Sequence, residues 1–368
     1  MSQRQRSSRH FDASRRDAMR LGLGAIAGVA SLTLLGAAAR AATGEAGSAP
    51  TAPAVRFLTH AEGVAAIGLG ATDGYYERMD VLEARARVDS LPGNATPAEA
   101  RGAVQGFESG SVRSFTGDEM TALRGVVERM QPSLAARAPL YARTPWSFIK
   151  LADHAEGGMP HTRGAHIVIP AAVAASVAKR HRDLSAAGTL ATSRFGASLL
   201  VHEQTHVLER AHPALFEPLF TDVFGFTRMT PPPSTPWLDA HTVHNPDGPD
   251  VCWAFPLDRI GGPGWVMPTV TLHDIARPKM PDNFQSIAVD VERTANGWRV
   301  PETDGKPRTR DLDRLPGYHA HFPWPDEDFH PNEIAAVMLS HWILQDVPDL
   351  DGRPLIAQCE AWARSALA

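Results

Sequence analysis

The chain has 368 residues, 43% of them hydrophobic and 21% charged, with a formal net charge of −5. That is ordinary globular composition, with enough chain for a large core and one to three lobes. The acidic balance and the lack of a basic run in the body of the chain leave no electrostatic footprint for nucleic acid.

The N-terminus reads as an address. Ser14-Arg15-Arg16-Asp17 places a twin-arginine pair ahead of a mildly apolar, Ala- and Gly-rich segment from Leu21 to Ala39. Ala39-Arg40-Ala41 then offers a small-x-small cleavage site. The pattern resembles a bacterial Tat export signal over residues 1–41, with Ala18 and Met19 where Phe and Leu are common. It implies a periplasmic or secreted protein whose contact with a membrane is through this signal. Residues 42–55, rich in Ala, Gly, Thr, Ser and Pro, read as a disordered spacer. The two cysteines, Cys252 and Cys359, could pair in an oxidising compartment or remain separate buried thiols.

Residues 56–145 form an N-terminal, mainly helical region. Thr116-Gly117-Asp118-Glu119 is a helix start, and Met120, Leu123, Val126, Val127 and Met130 follow at helical spacing. Pro132 is expected to end that helix. Trp146 to Lys150 reads as a strand, and so does Ala165 to Ile169, which Pro170 closes. Ala171 to His181 reads as a helix. Leu199 to His212 is a further helical run without Gly or Pro, bounded upstream by Gly188 and Thr192-Ser193 and downstream by Pro213. Leu215 to Phe226 looks helical and apolar. A long irregular tract follows, and its Asn245-Pro246-Asp247-Gly248 carries two turn signals. Trp265 to Leu272 reads as a strand. Ser286 to Glu292 and Trp298 to Val300 read as a hairpin around Asn296-Gly297. Finally, Pro331 opens a helix in which Ile334, Val337, Met338, His341 and Trp342 share a spacing, with Glu333 in its first turn.

The chemistry lies in His202-Glu203-Gln204-Thr205-His206, an H-E-x-x-H pattern on the Leu199–His212 run. Positions four apart share a helix face, so both imidazoles can reach one ion. Glu203 lies about 100° round the axis from His202, where a carboxylate can meet a metal-activated water without being a ligand. This is the arrangement of a zinc hydrolase, with two His on the metal and Glu203 as general base. On these residues the chain resembles the zincin metallopeptidases. The resemblance spans roughly Trp146 to Leu344, and the five-residue motif is its specific part.

The resemblance implies an α+β, zincin-like fold over residues 146–368, with a long insertion at about 227–327. In that fold a mixed sheet with an edge strand that pairs with extended substrate packs on the HExxH helix and a second, glutamate-bearing helix. Gly164 to Ile169 is the candidate edge strand. A catalytic zinc needs a third protein ligand and one open position. Gluzincins take a Glu from a later helix, and Asn332-Glu333-Ile-Ala-Ala resembles that helix, so Zn²⁺ is expected on His202, His206 and Glu333. A metzincin-like alternative uses His212, since H-E-x-x-H-x-x-E-x-x-H has the metzincin length, but Glu209 stands where that family has Gly. Glu209 itself reads as a supporting residue. Zincins add a Tyr or His that stabilises the oxyanion. Tyr318 is the expected one, with His241, His244, His319 and His321 as rivals. The expected function is an exported zinc metallopeptidase acting on a peptide or protein. A non-peptidase amide hydrolase and a non-catalytic periplasmic metal-binding protein are the alternatives.

Overall fold

The computed structural model describes residues 53–68, 74–186, 194–248, 253–322, 327–345 and 353–368. The export signal, the spacer up to residue 52, Gly188, Thr192-Ser193 and Cys252 lie outside the described residues.

The architecture is mixed α+β with a mixed sheet. The first sheet contains β1 (Val55–Phe57), β2 (Val112–Arg113), β3 (Trp146–Leu151), β4 (His161–Arg163) and β5 (His166–Pro170). Its order is β1-β3-β5-β4, with β2 also on β3. Strands β1, β3 and β5 run parallel, whereas β4 runs antiparallel to β5. The two central parallel strands β3 and β5 are mostly apolar (Trp146, Phe148, Ile167 and Ile169 are fully buried), as strands covered on both faces tend to be. Strand β1 begins at Val55, so order reaches the end of the expected spacer.

The expected edge strand is corrected. Residues 166–170 are an interior strand, bonded to β3 on one side and β4 on the other. The edge is β4. Gly164, at φ +55°, opens a two-residue turn between Arg163 and His166, a position that favours glycine, and folds the chain back on itself.

A second, antiparallel sheet is built from β6 (Thr227–Arg228), β7 (Trp253–Pro256), β8 (Trp265–Leu272), β9 (Phe284–Thr294) and β10 (Gly297–Arg299). Gly297 pairs with Thr294 across the hairpin read at Asn296-Gly297. A small ladder joins β11 (Glu302–Thr303) to β12 (Lys306–Pro307), and β13 (Thr309–Asp311) returns onto β9.

Helices Gly117–Arg137, Ala171–Ala186 and Arg194–Ala211 cover the first sheet, and Pro331–Leu344 packs on the first and last of these. Thr116 and Glu119 form a capping box at the start of the first of these. That helix continues five residues past Pro132, against expectation. The ring removes one donor, but Met130 and Leu134 on either side are fully packed, and tertiary burial outweighs the local penalty. Leu215–Phe226 is not one α-helix. Pro213–Pro218 is α-helical, and Leu219–Val223 widens to a π turn. One continuous apolar core joins both sheets, with Leu200, Val201 and Leu208 of the HExxH helix packed in the same cluster as Phe255, Val266 and Leu339. Among the described residues no helix is long and apolar enough to cross a membrane.

Candidate metal centre

The helix Arg194–Ala211 presents two faces. On its back, the Thr205 hydroxyl lies 2.8 Å from the Val201 carbonyl and 2.7 Å from Tyr141 Oη, and Gln204 donates to the Pro145 carbonyl. Ala197, Leu200, Val201 and Leu208 bury the same element in the core. This fixes its rotation, so His202 and His206 look out together on the opposite side.

Opposite them runs the helix Pro331–Leu344, packed along the first. His330 caps it by accepting from the Asn332 N–H, and Pro331 fills the first turn, where an N–H is dispensable. Glu333 follows in that turn, where the helix dipole favours a carboxylate. Ala335, Ala336 and Leu339 are buried, and the small alanines let the two helices approach.

His202, His206 and Glu333 converge, with their ligand atoms all within 4.8 Å of one another. His202 Nε2 and His206 Nε2 are 3.1 Å apart. Glu333 Oε2 is 3.2 Å from the first and 3.6 Å from the second. A tetrahedral ion with bonds of about 2.0–2.1 Å has its ligand atoms about 3.3 Å apart. The three separations fit three corners of one such tetrahedron, which leaves the fourth corner for a non-protein ligand. The donor set is close enough to bind a metal ion.

Two neighbours aim these ligands. His206 Nδ1 lies 3.0 Å from Glu209 Oε2, which orients the ring with Nε2 toward the cluster. Asn245 Nδ2 donates to Glu333 Oε1, so Oε2 is the oxygen turned toward the imidazoles. Glu203 is 3% exposed, and its Oε2 has no hydrogen-bond partner. Burial pushes the Glu203 carboxyl up to about 8, and the nearby Asp247 carboxylate adds to the effect. Burial likewise lifts Glu209 to about 7, against the pull of His206. On His206, burial acts downward but is outweighed by the Glu333 and Asp247 carboxylates, which hold its pKa well above the ordinary value. Burial acts upward on Glu333, and His206 and His202 reverse that and hold it well below the carboxylate range. Two imidazoles and one carboxylate thus attract positive charge to a single point.

The remaining expected residues go elsewhere. His212 is exposed and outside the cluster. The helix ends at Ala211 because Pro213 bars the α conformation to the residue before it, and His212 becomes the N-cap of the next helix at φ −135°, ψ 54°. Tyr318 is corrected. It is fully buried against Phe255 and Phe322, and its hydroxyl donates to the Asp328 carbonyl at 2.9 Å, so that donor is already spent. Of its rivals, His319 pairs with Asp328 and His321 packs on Phe255 and Phe322. His241 stacks on Trp237. His244 stands on Glu83, with Nδ1 at 2.8 Å from its carboxylate.

Thr162 and Arg210 near the site were given no role from sequence, and Asn245 and Asp247 were read only within an irregular tract. Arg210 lies one turn beyond His206 and donates to the Thr162 hydroxyl and the Pro246 carbonyl. Asp247 Oδ1 accepts from the Thr162 N–H at 2.7 Å and from its hydroxyl at 2.6 Å. The Asn-Pro-Asp-Gly turn signal was visible, but nothing local ties it to a helix some forty residues earlier.

Comparison with family models, with curated proteins and with solved structures returns no match.

Proposed function

We propose that this chain is an exported zinc-dependent hydrolase, and that it cleaves peptide bonds. The observation that carries the reading is the convergence of His202 Nε2, His206 Nε2 and Glu333 Oε2 beside the unpartnered Glu203 Oε2. The donor set of two neutral nitrogens and one carboxylate suits zinc, with one position left open. Held there, zinc would supply a Lewis acid that acidifies water and polarises a carbonyl.

The rest of the work falls to this chain's own residues. Glu203 takes the proton from the attacking water and passes it to the departing nitrogen. Its Oε2 has no hydrogen-bond partner that would compete for that proton. Glu209 keeps His206 aimed while that happens. Export rests on Arg15-Arg16, the segment from Leu21 to Ala39 and the Ala39-Arg40-Ala41 site.

The test is a pair of measurements on purified protein: metal content, and digestion of a quenched fluorescent peptide library. Glu203→Gln is expected to keep about one zinc per chain and to lose turnover by roughly 10²-fold or more. A Glu203→Gln protein that digests the library at the wild-type rate would refute the assignment of the base.

A further inference from the structure

The candidate edge strand is not free. In β4 the outward-facing residue is Thr162, because its N–H turns away from β5 and toward Asp247. An extended peptide pairing with this edge would use that N–H. Asp247 Oδ1 holds it already, together with the Thr162 hydroxyl. The segment carrying Asp247 crosses the whole site. Asn245 reaches Glu333, the Pro246 carbonyl accepts from Arg210 on the HExxH helix, and Gly248 lies against Asn332, the neighbour of Glu333. A Cβ on Gly248 would stand 2.5 Å from Asn332 Nδ2, so the fit is close.

We propose that residues 245–248 are a strap that occupies the place of a substrate strand, so that the folded protein is latent until the strap leaves β4. The inference rests on the zinc-peptidase reading and names the regulation of that site. Two features make the strap releasable. Its contacts are polar, and the last buried apolar side chain before it is Val243. Water or a substrate backbone can replace such hydrogen bonds, whereas an apolar plug would have to be extracted. The strap also has a fixed root. The Val243 N–H donates to the Val270 carbonyl, and His244 is held twice by Glu83, once through its N–H and once through Nδ1. Motion can therefore be confined to 245–248 while the chain on its N-terminal side stays in place. In the triad below, the His206 side chain is fully buried and that of Glu333 is 5% exposed, while His202 keeps 19% exposure.

The experiment has two arms on the full mature chain. In the zinc-loaded protein, acetohydroxamate needs only the open metal position, whereas a tetra-alanine hydroxamate must also lie along β4. Asp247→Ala is expected to bind the tetrapeptide hydroxamate about tenfold tighter than wild type, the equivalent of one hydrogen bond no longer displaced. Asp247 also acts on Glu203 and His206, so acetohydroxamate reads any change at the metal itself, and the tetrapeptide gain is measured relative to it. Equal affinity of the two proteins for the tetrapeptide hydroxamate overturns the strap. The second arm needs no metal: amide exchange in the wild-type chain. Thr162 should exchange through local opening, faster than His161 and Arg163, which bond to β5. Exchange of Thr162 at the same slow rate as those neighbours overturns the proposal. Absence of zinc would sink the proposed function, and the exchange result would still decide the strap.

Discussion

At the scale of single residues, the site depends on where each proton sits. Glu209 was read from sequence as a supporting residue, one turn past His206. Its Oε2 lies 3.0 Å from His206 Nδ1 as a hydrogen-bond acceptor, while its position along the axis keeps it off the ligand cluster. Losing that partner frees the ring to rotate and to change tautomer. Glu209→Ala is therefore expected to weaken zinc affinity by roughly 10–100-fold with the helix intact, as checked by competition with a chelator. The ligands His202 and His206 were legible because a four-residue spacing on a helix fixes a shared face. Glu333 was legible from its residue type and first-turn position on an amphipathic helix. Tyr318 was misread for a physical reason: proximity in sequence to Glu333 says nothing of which way a ring points, and its neighbours Phe255 and Phe322 take it into the core. Cys359 is a free, buried thiol that burial pushes up to about 12.

At the scale of elements, β4 is the piece whose placement matters most, and it is held by charge. Arg163, adjacent to Thr162, is 1% exposed and lies 3.1 Å from both Glu108 and Glu156. Arg87 joins Glu156 to Glu83, and Glu83 in turn holds His244. Burial, with the neighbouring Glu156, pushes Glu108 up to about 8 against the pull of Arg163. On Arg163, burial acts downward, but the surrounding carboxylates and tyrosines outweigh it and keep the guanidinium charged. The helices between residues 75 and 110 thus clamp both the edge strand and the root of the strap. Removing one member leaves buried charge unpaired. Arg163→Ala is expected to cost about 3–5 kcal/mol, read from the denaturation midpoint in urea. The network was invisible in the sequence, because its members are scattered from Glu83 to His244 and none stands in a motif. The edge strand was misplaced by one hairpin, since Gly164 was taken as the entry to a strand and not as the turn between two.

Across the whole molecule, the four long helices that begin near residues 117, 171, 194 and 331 and the Trp146 and Trp265 strands were legible, because hydrophobic period and caps are local signals. The sequence pattern did not show that the first and second sheets share one core, which depends on contacts such as those of Leu208 and Phe255 within a single cluster. The N-terminal address lies outside the described residues and is tested in cells. Replacing Arg15 and Arg16 with lysine is expected to leave full-length precursor in the cytoplasm, seen as a larger band on fractionation; normal processing and export of that variant would contradict Tat routing.

The claim on which all of this depends is that Glu333, brought from a helix far along the chain, completes a metal site with His202 and His206. The most direct measurement is zinc content and affinity, by elemental analysis and chelator competition, in wild type, Glu333→Ala and His212→Ala. The account predicts about one zinc per chain in wild type and in His212→Ala. In Glu333→Ala it predicts an affinity lower by roughly 10²-fold or more, since a direct ligand is lost. Full zinc retention in Glu333→Ala, or loss of zinc in His212→Ala, would contradict it.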